Sequence, residues 1–210
     1  SFQSISLAQG LPFHVGAIDL IPRAVAAKFG DDIHPGDCFV NNSGYLGNTH
    51  CADFTVCAPV FVDDAIAFYV IARAHLGDMG FPTPTTYGPR SRDVYEEGLM
   101  LPCVRIQKGY KDVPEVIDIC RANIRVPDQF YGDYLAVLAA VRTGESRLKS
   151  LCAKYGLETV RTFVDEFQNY AERMARTAIA KLPKGRVSKE MLYDSETDLY
   201  PGGIPIRATI

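Results

Sequence analysis

Three residues with metal-binding side chains occur at the ends of two apolar segments of this 210-residue chain. His50 and Asp53 stand three residues apart at the start of one apolar run, and His75 closes the next. The acidic pair Asp63-Asp64 separates the two runs, which is typical of a β-hairpin with a two-residue turn. Facing residues then have numbers that sum to about 127. This register places His75 opposite Ala52 and next to His50 and Asp53.

Two imidazoles and one carboxylate at one point form a ligand set that holds a divalent first-row metal and leaves coordination positions open. An open site of this kind supports Lewis-acid chemistry. The alternative interpretation is that both histidines are hydrogen-bonded residues at strand ends. A Cys-His nucleophile made of Cys51 and His50 is disfavoured, because neighbouring side chains of a strand point to opposite faces.

Further polar residues near these segments are candidates for an outer shell or for substrate binding. Asp78 repeats the His-x-x-Asp spacing after His75, so it could be a further ligand, ranked below Asp53, or an acceptor that fixes an imidazole tautomer. His14 has two apolar neighbours, which favours a pocket-lining role over a ligand. Arg92 could bind a carboxylate or bicarbonate-like anion, with a solvated helix face as the alternative. Tyr45 and Glu97 complete this outer set of candidates.

The sequence pattern around these residues predicts helices and strands of an α+β fold. Its N-terminal part is mixed and contains the buried β-hairpin with the metal site, and a long antiparallel helix pair follows. The hairpin strands are expected at 54–62 and 65–73, a further short strand at 104–107, and shorter helices at 18–29, 91–99 and 114–123. The two long helices are expected at 128–155 and 157–182, with Gly156 between them.

The chain divides by pattern into three parts. Residues 1–126 form the α+β part with the metal site, residues 127–184 form the helical hairpin, and residues 185–210 begin a further extended segment. The chain opens without Met and ends in a strand-like pattern, so we interpret it as an internal fragment of a larger subunit.

Composition excludes several classes of function. With 22 basic and 25 acidic residues the net charge is -3, which offers no positive field to a nucleic acid. No apolar run approaches the roughly 18–20 residues of a membrane span. The six cysteines show no zinc-knuckle or redox spacing, so free thiols in a cytoplasmic protein are expected. A phosphate-binding loop is missing, so no nucleotide-binding residues are assigned to this chain.

Residues 36–80 resemble the hydantoinase B/oxoprolinase family in the stretches GDCFVNNSGYLGNTHCADFTVCAPVF and RAHLGDMG. Farther along, PTPTTYGPRSRDVYEEGLMLPCVRIQKGY and RVPDQFYGDYLAVLAAVRTGESRLKSL look most like the acetone carboxylase α subunit. The likeness runs through almost the whole chain. Two places depart from the pattern: Asn42-Ser43-Gly44 stands where many relatives have Asn-Asp-Pro, and Leu76 stands where many have a polar residue.

The resemblance implies a subunit that holds manganese, with iron or zinc as alternatives, through residues matching His50, Asp53 and His75. It implies an ATPase-type, hydantoinase A-like partner that binds ATP and Mg²⁺, and a small zinc-binding subunit. The substrates would be a small ketone and bicarbonate or CO₂, with a metal-stabilised enolate carboxylated to a 3-oxo acid. The alternatives are ring-opening hydrolysis of a hydantoin or oxoproline-like lactam, and a non-catalytic assembly subunit.

Overall fold

The computed structural model describes residues 2–8, 14–88, 90–193 and 201–210. The chain separates into two compact units, Ser1–Val164 and Asp165–Ile210. The division into three parts expected from the sequence stays a prediction. Among the described residues, no helix combines the length and apolar character that crossing a membrane requires.

The first unit is built on a five-stranded antiparallel sheet with the spatial order β3-β2-β1-β4-β5. The central strands are apolar on consecutive positions, so the sheet can be covered on both faces. The strands are β1 (Cys38–Asn41), β2 (Asp53–Val62), β3 (Ala65–His75), β4 (Val104–Lys108) and β5 (Lys111–Asp112).

Helices cover the two faces of this sheet and complete an α+β architecture, as expected from the sequence. Alternation along β2 sends Phe54 and Val56 into one core cluster and Cys57 into the other. Phe54 packs with the helices α2 (Pro114–Asn123) and α3 (Pro127–Tyr155) in the first cluster. Cys57 packs with α1 (Leu20–Phe29) in the second cluster.

The β2–β3 hairpin has the predicted acidic turn but a different register. Next to the turn Val62 pairs with Ala65, as a sum of 127 requires. An irregularity between Val60 and Phe61 then shifts the pairing by one residue, which is the effect of an extra residue at a β-bulge. The predicted pairing of His75 with Ala52 is therefore wrong, and His75 faces Asp53 directly.

Two long helices are present after Pro127, as predicted. Helix α3 lies on the sheet through a buried row of side chains, and α4 (Leu157–Ile179) follows after Gly156, whose φ of 82° ends α3. The packing of the two helices as an antiparallel pair stays a prediction.

The helix predicted at 91–99 is wrong. Only one 3₁₀ turn, Val94–Glu96, forms there. Gly98 has a φ of 94° and lies against the Met79 backbone, which ends the helical conformation early. The other short elements, at 18–29, 104–107 and 114–123, form close to their predicted positions.

The second unit contains the C-terminal part of α4 and a two-stranded antiparallel sheet. Its strands are β6 (Ser188–Tyr193) and β7 (Ile204–Thr209), and both lie in the segment for which extended chain was expected. The described side chains of both strands are exposed.

Candidate metal site

Asp53 is the centre of the candidate site, at the first position of β2. It is fully buried, and a buried carboxylate requires hydrogen bonds or a cation. Its Oδ2 accepts from the His50 amide at 2.9 Å and from the Thr49 hydroxyl. The His50 Nδ1 lies 2.7 Å from the same oxygen, and the His75 Nδ1 lies 2.7 Å from Oδ1. The structure thus brings together the three residues that the hairpin spacing predicted.

A third imidazole joins this group. The Nδ1 of His14 lies 2.8 Å from the Thr49 hydroxyl and 3.6 Å from Asp53 Oδ2. Ligand-capable atoms of His14, His50 and Asp53 all lie within 4.8 Å of one another. His75, which lies on the other carboxylate oxygen, is not in this tighter set. His14 comes from a separate segment that the hairpin argument did not place beside Asp53. Its expected pocket-lining role stays a prediction.

Side chains of the preceding loop fix the backbone of the site. The side-chain Nδ2 of Asn48 donates to the His50 carbonyl at 2.9 Å and to the Asp53 carbonyl at 2.6 Å. Its side-chain Oδ1 accepts from the Thr55 hydroxyl. Asn42 donates to the Cys51 carbonyl at 2.8 Å and accepts from the Leu101 amide. Both asparagines are buried, so each bond is protected from competing water.

Arg73 lies on β3 two residues before His75 and joins three segments around the site. Its Nε donates to the Thr55 hydroxyl at 2.8 Å, and its Nη1 donates to the His14 carbonyl at 2.6 Å. Its Nη2 donates to the Gly47 carbonyl at 3.1 Å. A rigid fork of N–H donors is well suited to hold several carbonyl groups at once. The guanidinium therefore fixes both the loop and the segment that carries His14.

Gly47 allows the loop to approach α1 closely. Its φ is 92°, and a Cβ at this position would lie 2.6 Å from the Ala17 carbonyl oxygen. A side chain here would move the loop that leads to Thr49 and His50.

The imidazoles connect this buried carboxylate to solvent. The side chains of His14, His50 and His75 are 21%, 28% and 32% exposed. The Tyr87 ring contacts His50 and His75, with centroids 5.0 and 5.5 Å apart. The three imidazoles and the half-exposed Tyr87 ring therefore form the partly exposed side of the site.

Electrostatics keep the aspartate ionised. Burial acts to raise the pKa of Asp53, but hydrogen bonds from Thr49, His75 and His50 outweigh it and lower the pKa. For His14, burial is the largest effect and lowers the pKa, against the attraction of Asp53. Divalent metals bind a carboxyl group in its ionised form and an imidazole in its neutral form.

The donor set fits a divalent cation, because one carboxylate and two imidazoles are ligands that first-row divalent metals accept. The Nδ1 atoms of His50 and His75 lie 2.7 Å from the two oxygens of the Asp53 carboxylate, so all three side chains meet at one point. His50, Asp53 and His75 would hold the ion, with His14 beside them, and the ion would supply Lewis acidity toward a substrate oxygen.

Asp78 does not have the position expected of it. Its carboxylate accepts from the Arg125 guanidinium at 3.0 Å, the Arg125 amide at 2.8 Å and the Gly80 amide at 2.9 Å. The predicted contact with an imidazole is wrong, because chain reversal after β3 turns Asp78 toward Arg125.

The remaining outer candidates lie in other segments of the chain. Arg92 is an exposed partner of Glu96, which agrees with the solvated surface considered as its alternative. Tyr45 lies in the 3₁₀ turn Gly44–Leu46 and is 80% exposed. Glu97 lies close enough to Cys51 to affect its thiol. Substrate contacts for Arg92, Tyr45 and Glu97 stay predictions.

The structure does not support a cysteine as a nucleophile. All six are free and buried, as expected. Burial, and then the charge of Glu97, raises the pKa of Cys51 to about 12. The thiol is therefore protonated at neutral pH.

The hydantoinase B/oxoprolinase family model matches residues 2–210. The chain belongs to this family. It is 36% identical over 178 residues to the putative B subunit of a D-/L-hydantoinase from Pseudomonas sp. (strain NS671), covering 84% of the chain and 30% of the relative. It is 31% identical over 183 residues to the beta subunit of the caprolactamase from Pseudomonas jessenii, covering 87% of the chain and 32% of the relative. The chain thus spans about a third of these curated relatives.

Solved structures support the fold of this family member. A crystal structure of the ATP-dependent caprolactamase from Pseudomonas jessenii matches with a TM-score of 0.83 at 31% identity, over 89% of the chain and 32% of the other. The nucleotide-free acetone carboxylase matches with a TM-score of 0.77 at 17% identity, over 96% of the chain and 28% of the other. The second likeness shows a shared fold.

Within this family fold, sequence reasoning missed Arg73, Thr49 and Tyr87 and did not place His14 beside Asp53. Arg73 had a usable signal, because a charged residue inside a strand that is otherwise apolar needs buried partners. Thr49 and Tyr87 had no such signal, since loop residues acquire their contacts only through the tertiary fold.

Proposed function

We propose that this chain supplies the metal centre of an ATP-dependent enzyme of the hydantoinase B/oxoprolinase family. The observation that carries the proposal is the buried Asp53 carboxylate with His50 and His75 at 2.7 Å. The ion would be manganese, with iron or zinc as alternatives, and it would polarise a carbonyl oxygen of the substrate. Partial exposure of the three imidazoles is compatible with binding of that oxygen.

We propose carboxylation of a small ketone to a 3-oxo acid as the reaction. The likeness of residues 82–110 and 125–151 to acetone carboxylase α subunits supports this choice, and the shared fold is compatible with it. Arg73 and the asparagines of the loop would hold the site in place, and the Tyr87 ring would limit water at the histidines.

Ring-opening hydrolysis of a cyclic amide is the second candidate. It is favoured by the 31–36% identity to a caprolactamase subunit and to a putative hydantoinase subunit. The same site would then activate water or the amide carbonyl. Either reaction requires phosphoryl chemistry, for which this sequence offers no phosphate-binding loop, so an ATPase-type partner would bind ATP and Mg²⁺. The carboxylase proposal also includes a small zinc-binding subunit.

Metal content and paired substrate assays test these proposals. The protein is purified with its ATPase-type partner and analysed by mass spectrometry of metals. About one ion per chain is expected, with loss of the ion in His50→Ala and His75→Ala and retention in His34→Ala, whose side chain is exposed. Metal content that both site variants leave unaltered would contradict the metal centre.

The reaction is then assigned by product analysis. One incubation contains ketone, bicarbonate and ATP, and the other contains a cyclic amide and ATP. A 3-oxo acid in the first supports carboxylation, whereas a ring-opened acid in the second supports the hydrolase. Activity that survives both histidine substitutions would favour an assembly role for this chain.

A further inference from the structure

A cavity of about 510 Å³ lies between helix α3 and the end of β4, and it shares no residue with the histidine group around Asp53. Pockets that hold small molecules have volumes of roughly 300–1,000 Å³. Gln107 of β4 and Tyr110 of the turn after it form one wall, and successive turns of α3 form the other. The cavity is therefore large enough for a small organic molecule.

The buried Glu145 carboxylate organises the charged part of the lining. It accepts from the Lys149 ammonium at 2.6 Å, the Arg142 guanidinium at 2.7 Å and the Tyr110 hydroxyl at 3.0 Å. The Arg142 Nη2 also donates to the Gln107 side-chain oxygen at 2.7 Å. Both cations are thus held in place by the protein itself, so a ligand does not have to order them.

Tyr110 is fixed in the wall by its backbone as well as by its side chain. It follows Gly109 in the β4–β5 turn, and the two residues have φ angles of 67° and 57°. A bulky residue is uncommon in this left-handed region. Its amide donates to the Gly36 carbonyl at 2.8 Å, and its ring lies 4.5 Å from the Arg142 guanidinium carbon. The turn therefore presents the Tyr110 ring and hydroxyl in one position.

The lining has one positive charge in excess, because Arg142 and Lys149 stand against Glu145 alone. An ammonium group has three N–H donors. Two contacts of Lys149 are to Glu145 and to the Tyr110 hydroxyl, the latter at 3.4 Å. One donor of Lys149, whose side chain is 37% exposed, is therefore left for a ligand.

Two serine hydroxyls flank this ammonium group. Ser146 and Ser150 stand four residues apart on α3, so they share one face of the helix with Lys149. Both serines are exposed and line the cavity. One ammonium and two hydroxyls together can donate to the oxygens of one anionic group, and a charged donor makes such hydrogen bonds stronger.

We propose that this cavity binds a small organic anion through a carboxylate or phosphate group. Lys149 and the two serines donate to the anionic oxygens, and Arg142 adds the attraction of a second cation. The carbon part of the ligand contacts Leu138 and the Tyr110 ring, which are the apolar surfaces of the lining. The site does not depend on the proposed metal centre, so either can fail without the other.

Calorimetric titration with three probes of similar shape tests the proposal. Benzoate carries a carboxylate, phenyl phosphate carries a phosphate, and benzamide is uncharged. The complex with the ATPase-type partner is titrated without divalent metal, so that neither the proposed metal centre nor a Mg²⁺-dependent nucleotide site contributes. At least one anion should bind about 10-fold or more tightly than benzamide. The tighter of the two anions identifies the group that the site recognises.

Four variants assign the binding to this cavity. Lys149→Met should weaken anion binding about 10-fold or more. Ser146→Ala combined with Ser150→Ala should also weaken it, and this variant leaves the bonds of Glu145 in place. Arg147→Met is the matched control, because Arg147 is an exposed cation of the same helix outside the lining, and its affinity should be native.

Glu145→Gln gives a change of the opposite sign. It removes the anion of the lining, so the affinity for the anionic probe should rise, whereas general damage to the cavity would lower it. Circular dichroism confirms folding of each variant. Absence of anion binding in the native complex would overturn the proposal. Equal losses in Lys149→Met and Arg147→Met, or weaker binding in folded Glu145→Gln, would overturn it as well.

Discussion

Asp53 and His75 face each other directly across the β2–β3 hairpin, and the His75 Nδ1 lies 2.7 Å from Asp53 Oδ1. The pairing joins a buried anion at the start of one strand to a partly exposed imidazole at the end of the next. Because the bulge near Val60 shifts the register by one residue, the two side chains share one face of the hairpin.

Replacement of Asp53 by Asn should remove the metal with little change in side-chain volume. An amide carries no negative charge, so we expect the affinity for Mn²⁺ to fall at least about 100-fold. Calorimetric titration of metal-free protein measures this. Asp64→Asn in the exposed hairpin turn is the control. Equal affinities in the two variants would contradict the assignment of Asp53.

Arg73→Met should destabilise the fold by about 2–4 kcal/mol, because three charge-assisted hydrogen bonds are lost while their acceptors stay partly buried. Urea unfolding measures the free energy. Arg92→Met removes an exposed arginine and should change it by no more than about 0.5 kcal/mol. A similar small effect at Arg73 would mean that the three segments hold together without it.

Gly47→Ala should cost about 1–3 kcal/mol, since the residue has a φ of 92° and its new Cβ would meet the Ala17 carbonyl and Leu20. Gly132→Ala is the opposite test, because this glycine lies in α3 with open space around it. There alanine should stabilise by roughly 0.5–1 kcal/mol. Thermal and urea unfolding measure the change in the free energy of unfolding for both variants. A change of the same sign in the two variants would contradict the role of Gly47.

The hairpin and the chemistry of its ends could be predicted because both depend on local patterns. Apolar runs, an acidic turn and the spacing of His50, Asp53 and His75 are visible in the sequence. The one-residue bulge was not, since it depends on packing of both sheet faces. The segment of His14 is held at the site by a hydrogen bond from Arg73 to the His14 carbonyl. The Asp78 carboxylate instead binds Arg125, which lies 47 positions away in the sequence. Contacts of this range leave no periodic signal.

Glu145 gives a prediction about pH. It is buried in α3 and accepts from Lys149 at 2.6 Å, Arg142 at 2.7 Å and Tyr110 at 3.0 Å. Burial acts to raise the pKa of Glu145, but the bonds from Lys149, Arg142 and Tyr110 outweigh it and hold the pKa below the ordinary 4.5. A lowered folded-state pKa means that this stabilisation is complete above pH 4.5 and is lost as the pH falls through the folded value.

Glu145→Gln should therefore lower the free energy of unfolding by roughly 2–3 kcal/mol at pH 7, because the variant leaves two cations without their anion. The difference from the native protein should shrink as the pH falls from 4.5 through the lower folded-state pKa, since the native carboxylate becomes protonated over this range as well. Urea unfolding at pH 7, 5 and 3 measures it. Glu158→Gln, at an exposed glutamate of α4, should show a small difference at every pH. A constant difference for Glu145→Gln across this range would show that its charge does not stabilise the fold.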